Sequence, residues 1–113
     1  MIRQQADSFI KSCMKAWLLC QSCIHIEAIS TRPKKALVAV CRLCASSCFT
    51  VVGRLINNAD DIQEYAFRCM LDCRECFEEC KRYTGIDDIE YCGQVCLRCA
   101  DMLKELVVVS NPN

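Results

Sequence analysis

Cys69-Met70-Leu71-Asp72-Cys73-Arg74-Glu75-Cys76-Phe77-Glu78-Glu79-Cys80 carries four cysteines at steps of four, three and four. Those steps return to one face of an α-helix, because 3.6 residues complete a turn. Asp72, Arg74, Glu75, Glu78 and Glu79 fill the positions between them. The stretch therefore reads as an amphipathic helix whose inward stripe is sulfur where Leu and Ile would normally stand. The pattern recurs in three other segments, with Cys13, Cys20 and Cys23, with Cys41, Cys44 and Cys48, and with Cys92, Cys96 and Cys99. Every step within a segment is 3, 4 or 7, the a/d spacing of a bundle seam.

Working outward from the stripes, Gly and Pro mark the boundaries. Pro33 follows Ser30-Thr31-Arg32, a capping residue near a proline that suits a first helical turn. Asn57-Asn58 closes the next segment, and Asp60 or Asp61 opens the one after it. Gly85 suits the left-handed position past a helix end, and Asp87 and Asp88 favour a new helix through its dipole. Ser110-Asn111-Pro112-Asn113 reads as a frayed stop. The marks predict helices over 3–28, 33–56, 60–83 and 87–109, each about 33–39 Å long. Short connections make neighbours antiparallel. Strand signals are weak, since Val107-Val108-Val109 sits at the tail of a helical pattern without a partner run. The expectation is an all-α, up-down-up-down four-helix bundle with a cysteine-lined core, one domain over 1–113.

Stacking the helices about their loops predicts layers. Cys13, Cys48, Cys69 and Cys99 fall at one height. Cys44, Cys73 and Cys96 fall a turn higher, with Ala16 or Trp17 in the fourth place. Cys20, Cys41, Cys76 and Cys92 form the next layer, and Cys23 and Cys80 lie near the top. Leu37, Leu55, Ile62, Leu103 and Leu106 continue the inner stripe toward the ends.

Composition alone points elsewhere. Thirteen cysteines in 113 residues exceed the level of about 8–10% that marks a disulfide scaffold in a short secreted chain. The odd count forbids complete pairing. The opening residues Met1-Ile2-Arg3-Gln4-Gln5-Ala6-Asp7 show no export signal. Apolar runs such as Ala36 to Cys41 fall short of the roughly 20 residues of a membrane span. Both features place the chain in the cytoplasm, where thiols stay reduced. Fourteen basic and fourteen acidic residues balance to zero, which argues against a nucleic-acid partner. Four C-x-x-C pairs (Cys20/Cys23, Cys41/Cys44, Cys73/Cys76, Cys96/Cys99) allow a thiol redox protein. They lie inside helices, however, whereas a thioredoxin-type pair opens a helix after a strand and has its thiol pKa lowered there.

Metal binding suits the pattern better. Residues three or four apart on a helix stand about 5–6 Å apart at Cβ, so two thiolates can clamp one ion. C-x-x-x-C pairs of this kind are Cys44/Cys48, Cys69/Cys73, Cys76/Cys80 and Cys92/Cys96. Soft thiolates select Cu(I), zinc or iron–sulfur clusters. Charge separates these guests. Thiolates matched one to one with Cu(I) make a neutral core. A zinc ion or an oxidised four-iron cluster on four thiolates leaves a net negative charge. Buried charge without a partner is expensive. The spacing therefore favours many Cu(I) ions, near the cysteine count, over a zinc or iron–sulfur bundle.

The repeated stripes, as in Cys69-x-x-x-Cys73-x-x-Cys76-x-x-x-Cys80 and Cys92-x-x-x-Cys96-x-x-Cys99, resemble the four-helix-bundle copper storage proteins of bacteria, over nearly the whole chain. The resemblance implies Cu(I) storage or detoxification by pairs of thiolates. It also implies a homo-oligomer, commonly a tetramer, and a cytosolic form where no export signal is present. All thirteen cysteines are then candidate metal ligands. His25, two residues past Cys23, looks by resemblance like a ligand at the open mouth, although that offset points away from the seam. Met14, Met70 and Met102 adjoin the lowest layer as soft ligands or gap fillers. Ile10, Leu55, Ile62 and Leu106 would close the bottom end. Trp17 reads as a packing residue. Arg32, Lys34 and Lys35 form a basic run at the top, either a solvated surface or a docking site for an acidic copper donor. A partner protein or a small thiol would supply or receive the metal. With one histidine and no phosphate loop, no catalytic constellation is present and no enzyme is expected.

Overall fold

The four cysteine stripes lie on four helices in a computed structural model that describes residues 1–109. They are α1 (Arg3–Ala28), α2 (Lys35–Ile56), α3 (Ile62–Cys80) and α4 (Asp87–Val109), with a single 3-10 turn at Lys81–Tyr83 after α3. The stop expected at 110–113 lies outside the described residues. No strand occurs among the described residues. Val107–Val109 ends α4, as its periodicity predicts. Helix α1 packs on α2 and α4, and α3 packs on the same two, which closes a four-membered ring around the seam. The result is a four-helix bundle of 46 × 25 × 20 Å.

Two of the three turns form where their residues dictate. Asn58 adopts a left-handed backbone, φ 50°, just past α2. The N–H groups of Asn58 and Ala59 return to the carbonyls of Leu55 and Arg54 at 3.2 and 3.0 Å, which satisfies α2's last acceptors. Arg54 also pairs with Asp61 at 3.3 Å across this turn and donates to the Tyr65 hydroxyl at 3.1 Å. Gly85 is left-handed at φ 95°. Its N–H donates to the Glu90 carboxylate at 2.8 Å, and Asp87, Asp88 and Glu90 place negative charge on α4's first turn.

The α1–α2 turn differs from its expected form. Pro33 does not open the helix; α2 begins at Lys35 and has no side-chain cap of its own. Ser30 is used within the loop, where its hydroxyl accepts the Arg32 N–H at 3.1 Å. The cap comes from α1 instead. The Glu27 carboxylate accepts the Lys34 N–H at 2.8 Å. A carboxylate is the stronger acceptor, so this tie sets where α2 starts.

Beyond the sulfurs, the core is built from Phe9, Leu37, Val51, Leu55, Leu103 and Leu106, with small Ala16, Ala45, Ala66 and Ala100 between them. Ser47 on α2 donates to Asp72 on α3. A Cβ at Gly93 would lie 2.8 Å from the Cys80 Cβ, so α3 and α4 approach closely at the top because residue 93 has no side chain. Helix α2 is long and apolar enough to cross a membrane by length and composition, with a mean hydropathy of 1.8 over its best window. Counting clean runs misses this, because one Arg42 interrupts a stretch whose three cysteines also count as apolar. Its seam residues Leu37, Cys41, Cys44, Cys48, Val51 and Leu55 are all buried against the other helices.

Candidate metal centre

All thirteen thiols are free and buried. The most accessible, Cys23, is only 4% exposed. The helices bring their sulfurs together in the expected order. Cys20, Cys41, Cys76 and Cys92, one from each helix, have sulfurs mutually within 4.8 Å. At the other end Cys13 and Cys99 stand 3.8 Å apart, and Cys48 and Cys69 3.6 Å. Between them Cys44 meets Cys73 at 3.5 Å and Cys96 at 3.8 Å. Ala16 is fully buried and takes the fourth place in this middle layer. Trp17 is half-buried against the flank of the core, its ring 6.3 Å from that of Phe49.

The layers are not isolated. Cys20, Cys44, Cys76 and Cys96 form a second four-thiol group, and Cys44, Cys48 and Cys73 a three-thiol group, while Cys13, Cys48 and Cys99 form another. With metal–sulfur bonds of about 2.3 Å, a linear pair of thiolates spans about 4.6 Å and a tetrahedral edge about 3.8 Å. The sulfurs thus already stand at ligand separations along a continuous column. Cys23 and Cys80 lie above it.

Burial pushes every thiol toward its neutral form, and hydrogen bonds between sulfurs redistribute the effect. Hydrogen bonding with Cys41 and Cys92, then burial, raises Cys23. Hydrogen bonding with Cys41 and Cys44 raises Cys20. Donation from Cys20, Cys23 and Cys76 draws Cys41 down to about 5. Hydrogen bonding with Cys13, Cys48 and Cys73 draws Cys69 down to about 6. A thiolate formed in the column is therefore solvated by neighbouring S–H groups. Many at once are not, because among the described residues the core holds no buried cation.

The two ends differ. Below the lowest sulfurs, Phe9, Val52, Leu55, Leu103 and Leu106 make about two turns of apolar floor. Above the highest lies one turn with a polar fitting. Glu27 is 4% exposed and pairs with the Lys34 ammonium at 3.5 Å. That ammonium also lies 5.7 Å from the centre of the Tyr83 ring. Leu37 and Ile89 complete the cover. His25 is exposed on the outer face of α1, apart from the thiol groups. Met14 is exposed, Met102 half-buried and Met70 buried, and none joins a thiol group.

Two residues of this site escape a reading of charge and cysteine alone. Glu27 continues the α1 seam, four residues past Cys23 and seven past Cys20, so its register points inward although its charge suggests solvent. Gly93 sits between Cys92 and Cys96, and a mid-helix glycine there signals a close helix crossing.

Searches of curated proteins and of solved structures give no significant match. The family model described as copper storage protein matches residues 2–108, which takes in every cysteine of the column and all four helices that hold it. With its buried thiol groups, the chain belongs to the copper storage protein family.

Proposed function

We propose that the chain stores copper as Cu(I), in numbers near its cysteine count, on Cys13, Cys20, Cys23, Cys41, Cys44, Cys48, Cys69, Cys73, Cys76, Cys80, Cys92, Cys96 and Cys99. One observation carries this reading: thirteen buried thiols, eleven in a continuous column and Cys23 and Cys80 above it, have no buried cation beside them among the described residues. Each incoming Cu(I) forms bonds to sulfur and displaces thiol protons to solvent. A monovalent ion on a thiolate leaves the core neutral. A zinc ion on four thiolates would bury a double negative charge, with nothing inside to offset it.

Copper passes in and out at the upper end, past Glu27, Lys34 and Tyr83, where the cover is thinnest and polar. The placement of His25 on the outer face gives no support to a ligand role, and the proposal rests on the thiols alone. The work is binding and release, with no catalytic residue assigned. Reduced thiols fit a cytosolic setting, with copper exchanged with a small thiol or a donor protein. Exposed Leu43, Phe49 and Ile56 on α2 and Leu18 on α1 fit assembly of several bundles. A Cu(I) titration against a competing chelator, with metal analysis and far-UV circular dichroism, tests the reading. The expected result is uptake near the cysteine count with little change in helix content. Saturation at one or two ions, or folding that requires zinc, overturns it.

A further inference from the structure

The column narrows at one sulfur. Cys20, Cys41, Cys76, Cys92 and Cys96 contact one another in the upper half, at 3.7 to 4.0 Å. Cys48, Cys69 and Cys73 do so in the lower half, at 3.6 to 4.0 Å, joined to Cys13 and Cys99 through Cys48. Every sulfur–sulfur hydrogen-bond contact of 4.0 Å or less among the described residues stays within one half or ends on Cys44. Cys44 reaches Cys96 above at 3.8 Å and Cys73 below at 3.5 Å. It also belongs both to the upper four-thiol group with Cys20, Cys76 and Cys96 and to the lower three-thiol group with Cys48 and Cys73. The narrowing has a local cause. Helix α1 offers the Ala16 methyl group at this height, fully buried, where the other three helices offer sulfur.

We propose that Cys44 is the relay through which copper passes between the upper and lower halves of the core; the inference rests on the storage reading above. A bare cation cannot cross a dry, apolar interior without prohibitive cost, so Cu(I) moves by ligand exchange. A new sulfur bonds to the ion before an old one leaves, and the incoming thiol's proton passes to the departing thiolate. No electron changes hands. Each hop needs an acceptor sulfur already in reach, and at the middle layer Cys44 is that sulfur. Because about two turns of apolar side chains separate the lowest sulfurs from the cavity at the bottom end, Cys13, Cys48, Cys69, Cys73 and Cys99 fill through Cys44.

The test exposes reduced protein to Cu(I) buffered by a small thiol, quenches at intervals by alkylation, and maps the unprotected cysteines by mass spectrometry. In Cys44→Ser the upper thiols are protected at the wild-type rate, and the lower five at least about tenfold more slowly. Ala45→Ser is the matched control. It places a hydroxyl beside Cys44 on the buried side of α2 and removes no sulfur, and it leaves lower filling unchanged. Ala16→Cys added to Cys44→Ser supplies a second crossing and restores the lower rate. Equal lower rates in Cys44→Ser and Ala45→Ser overturn the relay, as does failure of Ala16→Cys to restore it. Should circular dichroism show Cys44→Ser unfolded, Ala16→Cys in the wild-type background decides. Faster lower filling supports the relay and an unchanged rate overturns it. Wild-type protein that binds one or two ions overturns the storage reading itself, and does so before any variant is compared.

Discussion

Glu27 offers the sharpest test of how the mouth of the column is built. Its carboxylate accepts the Lys34 N–H at 2.8 Å and the Lys34 ammonium at 3.5 Å. The side chain of Glu27 is 5% exposed and that of Lys34 28%. The two contacts differ in weight. A hydrogen bond to a buried charged acceptor contributes about 1.5–3 kcal/mol, and this one also caps α2. The ion pair is longer and partly solvated, which holds it to about 1 kcal/mol or less. Glu27→Ala leaves a helix-opening N–H without its acceptor and should destabilise the apo bundle by about 2–3 kcal/mol. Glu27→Gln keeps an oxygen for that N–H and should cost about 1 kcal/mol. Lys34→Ala keeps the backbone donor and should cost less than about 1 kcal/mol. For a chain of this length about 1 kcal/mol moves the midpoint by about 4 °C, so Glu27→Ala should melt about 8–12 °C lower. Urea and thermal unfolding of the reduced apo protein, followed by far-UV circular dichroism, reads all three. The reasoning is refuted if Lys34→Ala costs as much as Glu27→Ala, because the ion pair would then outweigh the cap. A Glu27→Ala protein as stable as wild type would refute it equally.

Further outcomes follow from the same packing. Gly93→Ala should lower stability by about 1 kcal/mol in urea unfolding, because a clash with the Cys80 Cβ at 2.8 Å costs about 1–3 kcal/mol, against a helix-propensity gain of about 1 kcal/mol; a more stable variant would mean that α3 gives way freely. On the alkaline side, Cys20, Cys23 and Cys76 lie above the ordinary value of 9.0. Their contribution is complete below about pH 9 and is lost as the pH rises toward their folded values, whereas that of Cys41 and Cys69 has the opposite sign and is lost as the pH falls through about 5 and about 6. More thiols are raised than lowered, so the apo melting temperature should fall above about pH 9, and a flat profile there would contradict the upward shift of Cys20, Cys23 and Cys76. Stripping the loaded protein with a strong Cu(I) chelator should return a helical apo bundle, and loss of the helical dichroism would show that metal and fold are inseparable.

Much of this site is legible in residue spacing, since steps of 3, 4 and 7 assign each cysteine to the seam, and antiparallel stacking then gives the layers. What spacing leaves open is settled by size and by partners from other helices. It allows Ala16 or Trp17 in the middle layer. Only the methyl group fits where sulfurs crowd to 3.5–3.8 Å, so the indole packs half-buried against the flank of the core. Pro33 and Ser30 carry the local marks of a helix start, yet α2 opens two residues after Pro33, because a carboxylate from α1 reaches the Lys34 N–H. Glu27 itself has an inward register and an outward chemistry. Register wins because a backbone donor waits for it inside, and that donor belongs to a loop whose path no local pattern specifies. Gly93 likewise has its reason on another helix, at Cys80.

The choice of cysteine over leucine on the seam has a consequence for how such a core is loaded. A neutral thiol packs as a small hydrophobe, so the bundle buries its seam and holds its helices before any metal arrives. A zinc finger, by contrast, is unfolded until the ion binds. On the storage reading, each Cu(I) that displaces a thiol proton adds no net charge to the core. Nothing in the surrounding helices has to change sign or supply a counter-ion at any step, and among the described residues nothing in the core could. Divalent ions break this symmetry. A zinc ion on two thiolates is neutral but lacks half its ligands, and on four it carries a double negative charge. A core of this kind can therefore be partly full without strain, which is the property a store needs and a structural metal site does not.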